Sequence, residues 1–280
     1  MKSLKTPLRY PGGKSRACTK MDQYFPDLRN YKEFREPFLG GGSVAIHITK
    51  KYPTLDIWVN DLYEPLYNFW CVLRDQSQDL CETLREYKST NATPELAREL
   101  FQQMKVEVND KENPHLQRAA AFYVVNKCSF SGLTESSSFS QQASVSNFSM
   151  RGIEKLPEYG KLIKDWKITN VRYQELLTDD RSIFTYLDPP YDIGSNLYGR
   201  KGNMHKSFDH DGFATLCDRF VGPQLISYNS SQLIRERFKG WEVGEFDLTY
   251  TMRSVGEYMR EQKERKELVL FNYEVRSQVV

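Results

Sequence analysis

The sequence predicts an α/β protein built on an open sheet that closes with an antiparallel pair. Three features carry that expectation. Residues 183–187, Ile-Phe-Thr-Tyr-Leu, form an apolar, β-prone run that reads as a buried strand. Residues 33–48 read as a short strand, three glycines and a helix, with a second strand at 56–61. Residues 224–228, 241–247 and 266–273 read as three more strands, the last two as the closing pair.

The run at 183–187 stops at Asp188-Pro189-Pro190-Tyr191. Neither proline can donate to a strand ladder, so the strand ends there. That leaves a carboxylate, stiff backbone carbonyls and an aromatic ring at a strand's carboxyl end, where open α/β sheets bind ligands. A carboxylate beside a carbonyl offers two acceptors, which suit the two hydrogens of an exocyclic amino group. Tyr191 can stack on the flat ring that carries such a group. The plain alternative is an Asp-Pro-Pro turn followed by a surface tyrosine.

The glycines at 40–42 allow a ligand close to the backbone, and the helix after them begins with unpaired N–H groups. Asp61 ends the second strand about 20 residues later, the spacing at which an acid meets a ribose diol. Together these features suggest an adenosine-containing cofactor, and the missing third glycine of a dinucleotide fingerprint argues against NAD. A purely structural strand–helix–strand unit is the alternative. The turn at residues 8–16, Leu-Arg-Tyr-Pro-Gly-Gly-Lys-Ser-Arg, is no phosphate-binding P-loop, because Leu8 stands where that motif needs a glycine. What remains is a tight turn flanked by Arg9, Tyr10 and Lys14.

Residues 62–125 read as helical. Thr93 can cap a helix that starts at Pro94, and 115–127 forms a second, aliphatic helix. Residues 126–152 change character: serines, glutamines and spaced phenylalanines suggest a surface hairpin or loop able to read base edges and part stacked bases. The stretch 151–172 leans basic, and the loop after Tyr191 carries Arg200, Lys201, His205 and Lys206, all candidate phosphate contacts. His205, Asp209, His210 and Asp211 match no metal-ligand spacing, so no metal is expected.

Composition bounds these readings. A chain of 280 residues suits one large α/β domain or a domain with a sizeable insertion, and 39% hydrophobic and 13% aromatic residues supply a core with rings to spare. A net charge of +2 excludes a global basic field, so a polyanion must be met by a local patch. Five cysteines without a C-x-x-C pair read as reduced and mostly buried, as in a cytoplasmic protein. No apolar run approaches the roughly 18 residues that span a bilayer, and the first residues lack a signal-peptide core, so no membrane role is expected.

With these pieces in place, the chain resembles the DNA adenine methylase (Dam) family, D12-class S-adenosylmethionine-dependent N6-adenine methyltransferases. The resemblance runs from Leu8 to Tyr273. Residues 9–14 look like the family's N-terminal cofactor motif and residues 36–43, Glu-Pro-Phe-Leu-Gly-Gly-Gly-Ser, like its glycine loop. Asn60-Asp61 matches its ribose acid, residues 126–133 are similar to its recognition hairpin, and residues 188–191 match its catalytic motif. The motifs also follow the family's order.

The resemblance implies a Rossmann-like methyltransferase sheet with an inserted, mainly helical recognition domain. Residues 1–65 and 153–280 would form the catalytic domain and residues 66–152 the insert. It implies that Tyr10, Lys14, Asp61 and Asp188 contact S-adenosylmethionine, with Phe38, Gly40 and Gly42 shaping its pocket and Tyr173 stacking on its adenine. Asp188 and the Pro189 carbonyl would hold the target N6, with Pro190 stiffening the turn and Tyr191 stacking on a flipped base. Arg9, Lys127, Phe130, Ser131, Leu133 and Glu135 would contact double-stranded DNA. No metal, obligate protein partner or membrane is implied; a monomer or weak dimer in the cytoplasm of a bacterial or phage-infected cell is. Arg172 stands where the family has an acid for the cofactor's adenine. Glu135 stands where readers of GATC carry a guanine-reading arginine, so a different site is expected. The remaining alternatives are an RNA or protein N-methyltransferase and a DNA-binding protein without catalysis.

Overall fold

The computed structural model describes residues 4–10, 13–130, 137–191, 208–247 and 266–274. Among the described residues seven strands form one sheet: β1 (Glu33–Glu36), β2 (Asp56–Asn60), β3 (Lys167–Thr169), β4 (Ile183–Leu187), β5 (Gln224–Asn229), β6 (Glu242–Asp247) and β7 (Lys266–Phe271). Their spatial order is β3-β2-β1-β4-β5-β7-β6. The first five run parallel, and β7 inserts antiparallel between β5 and β6. Strand order reverses between β1 and β4, which opens the ligand crevice of such sheets at the carboxyl ends of those two strands.

The helices are α1 (Cys18–Met21), α2 (Ser43–Lys51), α3 (Glu64–Asp75), α4 (Ser77–Thr90), α5 (Pro94–Glu107), α6 (His115–Cys128), α7 (Gln141–Ser146), α8 (Met150–Ile153), α9 (Leu156–Leu162), α10 (His210–Arg219) and α11 (Gln232–Arg237). Thr93 caps α5 as its sequence suggests, accepting from the Leu96 N–H at 3.3 Å with Pro94 in the first position. In α6, Arg118 to Asn126 are all buried, so this helix lies inside a bundle and shows no polar face there. None of the described helices is long and apolar enough to cross a membrane.

Every residue of β4 is buried, because layers cover both faces of the sheet. Successive side chains point to opposite faces. Phe184 and Tyr186 join one cluster with Phe34, Leu225 and Val269, and Leu187 joins another with Ile226, Tyr228 and Phe213. The first cluster is continuous through Trp70 and Phe69 to Phe122 and Phe101, so the helices of residues 66–152 share a core with the sheet. Phe184 is its aromatic centre, with rings of Phe25, Tyr31, Phe34 and Tyr273 at 5.6, 5.7, 6.2 and 5.6 Å between centroids.

Two regions differ from the sequence reading. The basic stretch 151–172 contains α9 and the edge strand β3, whose Lys167 ammonium lies 3.4 Å from the centroid of the Trp58 ring. Residues 137–152 are largely helical where a hairpin or loop was expected. Ser140 and Ser149 cap α7 and α8 by accepting from the Ala143 and Gly152 N–H groups, and Phe148 is a core residue. The hairpin character survives in one antiparallel bridge between Ser129 and Phe139.

Phe184→Ala removes the ring on which four others pack. It is expected to cost about 3–5 kcal/mol of unfolding free energy in a denaturant titration, with the same fold by circular dichroism at low denaturant.

Candidate active site

The site is assembled where β1 and β4 end. Beyond β4 the two prolines release the chain from the sheet, and Asp188 is the first residue past the ladder. Lys14, on the single 3-10 turn Lys14–Arg16, reaches it from the N-terminal segment. Its ammonium donates to both Asp188 oxygens at 2.8 Å and to the Tyr191 hydroxyl at 2.7 Å, and lies 3.2 Å from Glu267 Oε1. Tyr191 in turn donates to Glu267. Ser227 donates to Asp188 Oδ1 at 2.8 Å, and Tyr186 shares a hydrogen bond with Ser227, also at 2.8 Å. Lys14 and Glu267 are each 3% exposed, whereas Asp188 is 22% exposed.

Burial pulls the Lys14 ammonium down, yet the Asp188 and Glu267 carboxylates outweigh it and hold the group well above its ordinary value. Burial pushes the Glu267 carboxyl up, against the opposing pull of Lys14. Glu36, below the glycine loop, is also pushed well up by burial and by the Asp188 charge, and its Oε2 finds no hydrogen-bond partner among the described residues.

The glycine loop follows from steric necessity at two positions. Gly40 and Gly42 have φ of 49° and 66°, in the left-handed region. A Cβ at Gly40 would lie 2.9 Å from the Tyr10 ring, and one at Gly42 would lie 2.7 Å from the Trp70 indole. The Trp70 indole N–H donates to the Gly40 carbonyl at 3.1 Å. Gly40 N–H donates to Asp61 Oδ2 and Tyr63 N–H to Asp61 Oδ1, both at 2.9 Å. Burial pushes the Asp61 carboxyl up to about 6 despite these two N–H groups. Asn60, one residue earlier, ties three strand ends together. Its amide donates to the Pro37 and Val171 carbonyls at 3.1 and 3.0 Å and accepts from the Thr169 hydroxyl at 2.9 Å.

A cavity of about 830 Å³ opens beside this loop, with Phe38, Asp61, Arg172, Tyr173, Pro190 and Asp209 in its lining. The Phe38 and Tyr173 rings pack tilted by 31° at 5.3 Å between centroids and form its apolar wall. Its size, its acid and its aromatic wall fit a nucleoside-bearing cofactor.

Arg9 is tied to the C-terminal end of α6, close enough to Lys127 to influence its charge. The Arg9 N–H donates to Asn126 Oδ1 at 2.9 Å, the Asn126 amide donates to the Arg9 carbonyl at 2.6 Å, and the Arg9 guanidinium donates to the Ser129 carbonyl at 2.7 Å. Burial and the nearby Arg9 charge bring the Lys127 ammonium down to about 8. Phe130 is 51% exposed. Ser131, Leu133 and Glu135 lie outside the described residues, as do Arg200, Lys201, His205 and Lys206. Of the other residues weighed for metal, Asp209 caps α10, His210 bonds the Tyr228 hydroxyl at 2.8 Å and Asp211 pairs with Arg237.

The structure thus brings Lys14, Asp188 and Tyr191 into contact, places Phe38, Asp61, Tyr173 and Pro190 on one cavity, and packs Tyr10 against Gly40. Sequence reasoning did not single out Glu267, Ser227 or Glu36. A glutamate opening an apolar strand reads as solvated, so Glu267 carries no signal of its own until β7 is seen between β5 and β6.

A parallel sheet with an antiparallel strand inserted next to its edge, a glycine loop with a following acid, and Asp-Pro-Pro-Tyr at the end of β4 define a methyltransferase. Residues 10–252 match the model of the D12 class N6 adenine-specific DNA methyltransferases, and the chain belongs to that family. It is similar to the Type II methyltransferase M.MjaIII of Methanocaldococcus jannaschii, with 25% identity over 67% of this chain and 69% of that protein. It is also similar to M1.LlaDCHI of Lactococcus lactis subsp. cremoris, with 22% identity over 89% of each. A third relative is M.CviBI of Paramecium bursaria Chlorella virus NC1A, with 21% identity over 96% of this chain and 100% of that protein.

The raised Asp61 carboxyl gives a testable pH dependence. Its folded value of about 6 exceeds its ordinary 3.8, so between these limits the folded state holds the extra proton. Stability therefore falls as pH rises through that window. The unfolding free energy of the wild type relative to Asp61→Asn is expected to drop by up to about 3 kcal/mol between pH 4 and pH 6 and then level off, as read by denaturant titrations across pH.

Proposed function

We propose that this protein transfers a methyl group from S-adenosylmethionine to N6 of an adenine swung out of double-stranded DNA. The observation that carries this reading is the state of Asp188. Among the described residues its Oδ1 accepts from Lys14 and Ser227, whereas Oδ2 accepts from Lys14 and keeps a lone pair for a further donor. With the Pro189 carbonyl it offers two acceptors to the hydrogens of an amino group. Accepting both draws the nitrogen lone pair out of conjugation with the ring. Tyr191 is anchored through its hydroxyl by Lys14 and Glu267, which holds the ring in place for stacking on a purine. An adenine inside a duplex cannot reach this pocket, so it must leave the stack.

The cavity beside Asp188 suits the cofactor. Asp61 would accept from a ribose diol, Phe38 and Tyr173 would hold the adenine, and Tyr10, Lys14, Gly40 and Gly42 would shape the methionine end. When bound, S-adenosylmethionine supplies an electrophilic methyl group on a sulfonium. The protein's part is to place the amino nitrogen in line with that carbon, and orientation of this kind accounts for much of the acceleration. We assign residues 1–65 and 153–280 to catalysis and residues 66–152 to target recognition. Arg9, Lys127 and Phe130, together with Ser131, Leu133 and Glu135, would meet DNA, and Glu135 favours cytosine N4 over guanine.

Purified protein with tritium-labelled cofactor should label duplex DNA, with the label in N6-methyladenine. Label confined to RNA or protein, or binding of DNA with no transfer, would overturn the proposal. Asp188→Ala is expected to reduce transfer at least about 1,000-fold with DNA affinity within about threefold of wild type. Glu135→Arg is expected to change the methylated sequence, as read by modified-base sequencing of DNA from expressing cells. An unchanged methylome would remove Glu135 from the recognition surface.

A further inference from the structure

One carboxylate at the site belongs neither to the glycine loop nor to the Asp-Pro-Pro-Tyr turn. Glu267 enters from β7, where it pairs with Asn229 of β5 and Phe246 of β6, and its side chain is 3% exposed. Its Oε1 accepts from the Tyr191 hydroxyl and lies 3.2 Å from the Lys14 ammonium, which itself donates to Tyr191 at 2.7 Å. These three groups close a triangle, and the same ammonium donates to Asp188 at 2.8 Å.

Scaffolding alone would be met by one carboxylate for one ammonium. A second buried carboxylate costs free energy unless something compensates it. Two carboxylates, Asp188 and Glu267, thus face the one Lys14 ammonium, and Lys14 and Glu267 are each only 3% exposed. Asp188 also has work that competes with Lys14, since an acceptor fully engaged by an ammonium is a poor acceptor for an incoming amino group.

We propose that Glu267 is a positioning residue for methyl transfer. It shares the Lys14 ammonium with Asp188 and takes the Tyr191 hydroxyl proton as acceptor, so that Asp188 is not the ammonium's sole counter-charge and keeps acceptor capacity for the target amine. It also sets a second carboxylate beside that ammonium, which favours a sulfonium over a thioether. The inference rests on the methyl-transfer reading above. If the target nitrogen is held about 2.9 Å from Asp188 and the methyl carbon about 3–3.5 Å beyond it, the donor's positive charge lies within several ångströms of the cluster. Charges at that range in a dry site interact strongly.

Glu267→Gln keeps the shape and an oxygen for Tyr191 but deletes the charge, and Glu267→Asp keeps the charge on a shorter arm. Calorimetry without DNA compares affinity for S-adenosylmethionine and for its thioether product. In Glu267→Gln the preference for the sulfonium is expected to fall roughly tenfold. Affinity for the thioether should stay within about twofold, which loss of structure would not allow. On duplex DNA, kcat should fall roughly tenfold with KM for DNA within about twofold of wild type. Glu267→Asp should hold the sulfonium preference within about twofold and lose kcat. A Gln variant with wild-type preference and wild-type kcat overturns the proposal. Should the Gln variant fail to fold, the Asp variant decides alone: a lost preference or an unchanged kcat overturns the proposal. Wild-type protein that binds the sulfonium yet labels no DNA overturns the functional reading, and the calorimetric ratio still judges Glu267. Wild-type protein that binds neither ligand overturns both.

Discussion

The Lys14 ammonium is the point on which the site closes. It joins three parts of the chain that meet nowhere in sequence: the N-terminal turn, the segment beyond β4 and the inserted strand β7. A buried ion pair adds little net stability against an apolar substitute, but removal of one partner strands the other and costs about 3–5 kcal/mol. The arrangement therefore specifies geometry more than it adds stability. With Lys14 fixed, Asp188 and Tyr191 are fixed too, and the crevice at the switch between β1 and β4 acquires its polar end.

The other end of the crevice is organised by backbone. Gly40 and Gly42 take a conformation that side chains oppose, and Tyr10 and Trp70 fill the space a Cβ would need. Asp61 accepts from the Gly40 and Tyr63 N–H groups, which hold the acid in one place, while burial raises its carboxyl against them. Apolar wall and polar acid are thus supplied by separate elements, Phe38 and Tyr173 for the first and the end of β2 for the second. Arg172 and Arg219 add cations to the same cavity lining, and Asp61 and Asp209 add carboxylates.

Much of this was legible because its chemistry is local. Two prolines stop β4 wherever the rest of the chain goes, and glycines before a helix declare a close backbone approach. The closing strands were readable from their apolar runs. What escaped the sequence depends on distant partners or on brevity. β3 has three residues, one of them a lysine covering Trp58, so no alternation could mark it. Phe148 looked like a surface wedge among serines, and only the caps supplied by Ser140 and Ser149 turn it into the core. The clasp between Arg9 and Asn126 spans 117 positions and leaves no local trace.

The insertion of β7 between β5 and β6 has a consequence in time. Until residues 266–271 take their place, β5 lacks its β7 neighbour and the Lys14 ammonium lacks the Glu267 carboxylate. During synthesis the ribosome delivers the cofactor loop, the ribose acid and the Asp-Pro-Pro-Tyr turn well before it delivers Glu267. A nascent chain can thus pair the parallel part of its sheet before β7, the last of the described strands, brings Glu267 to the Lys14 ammonium.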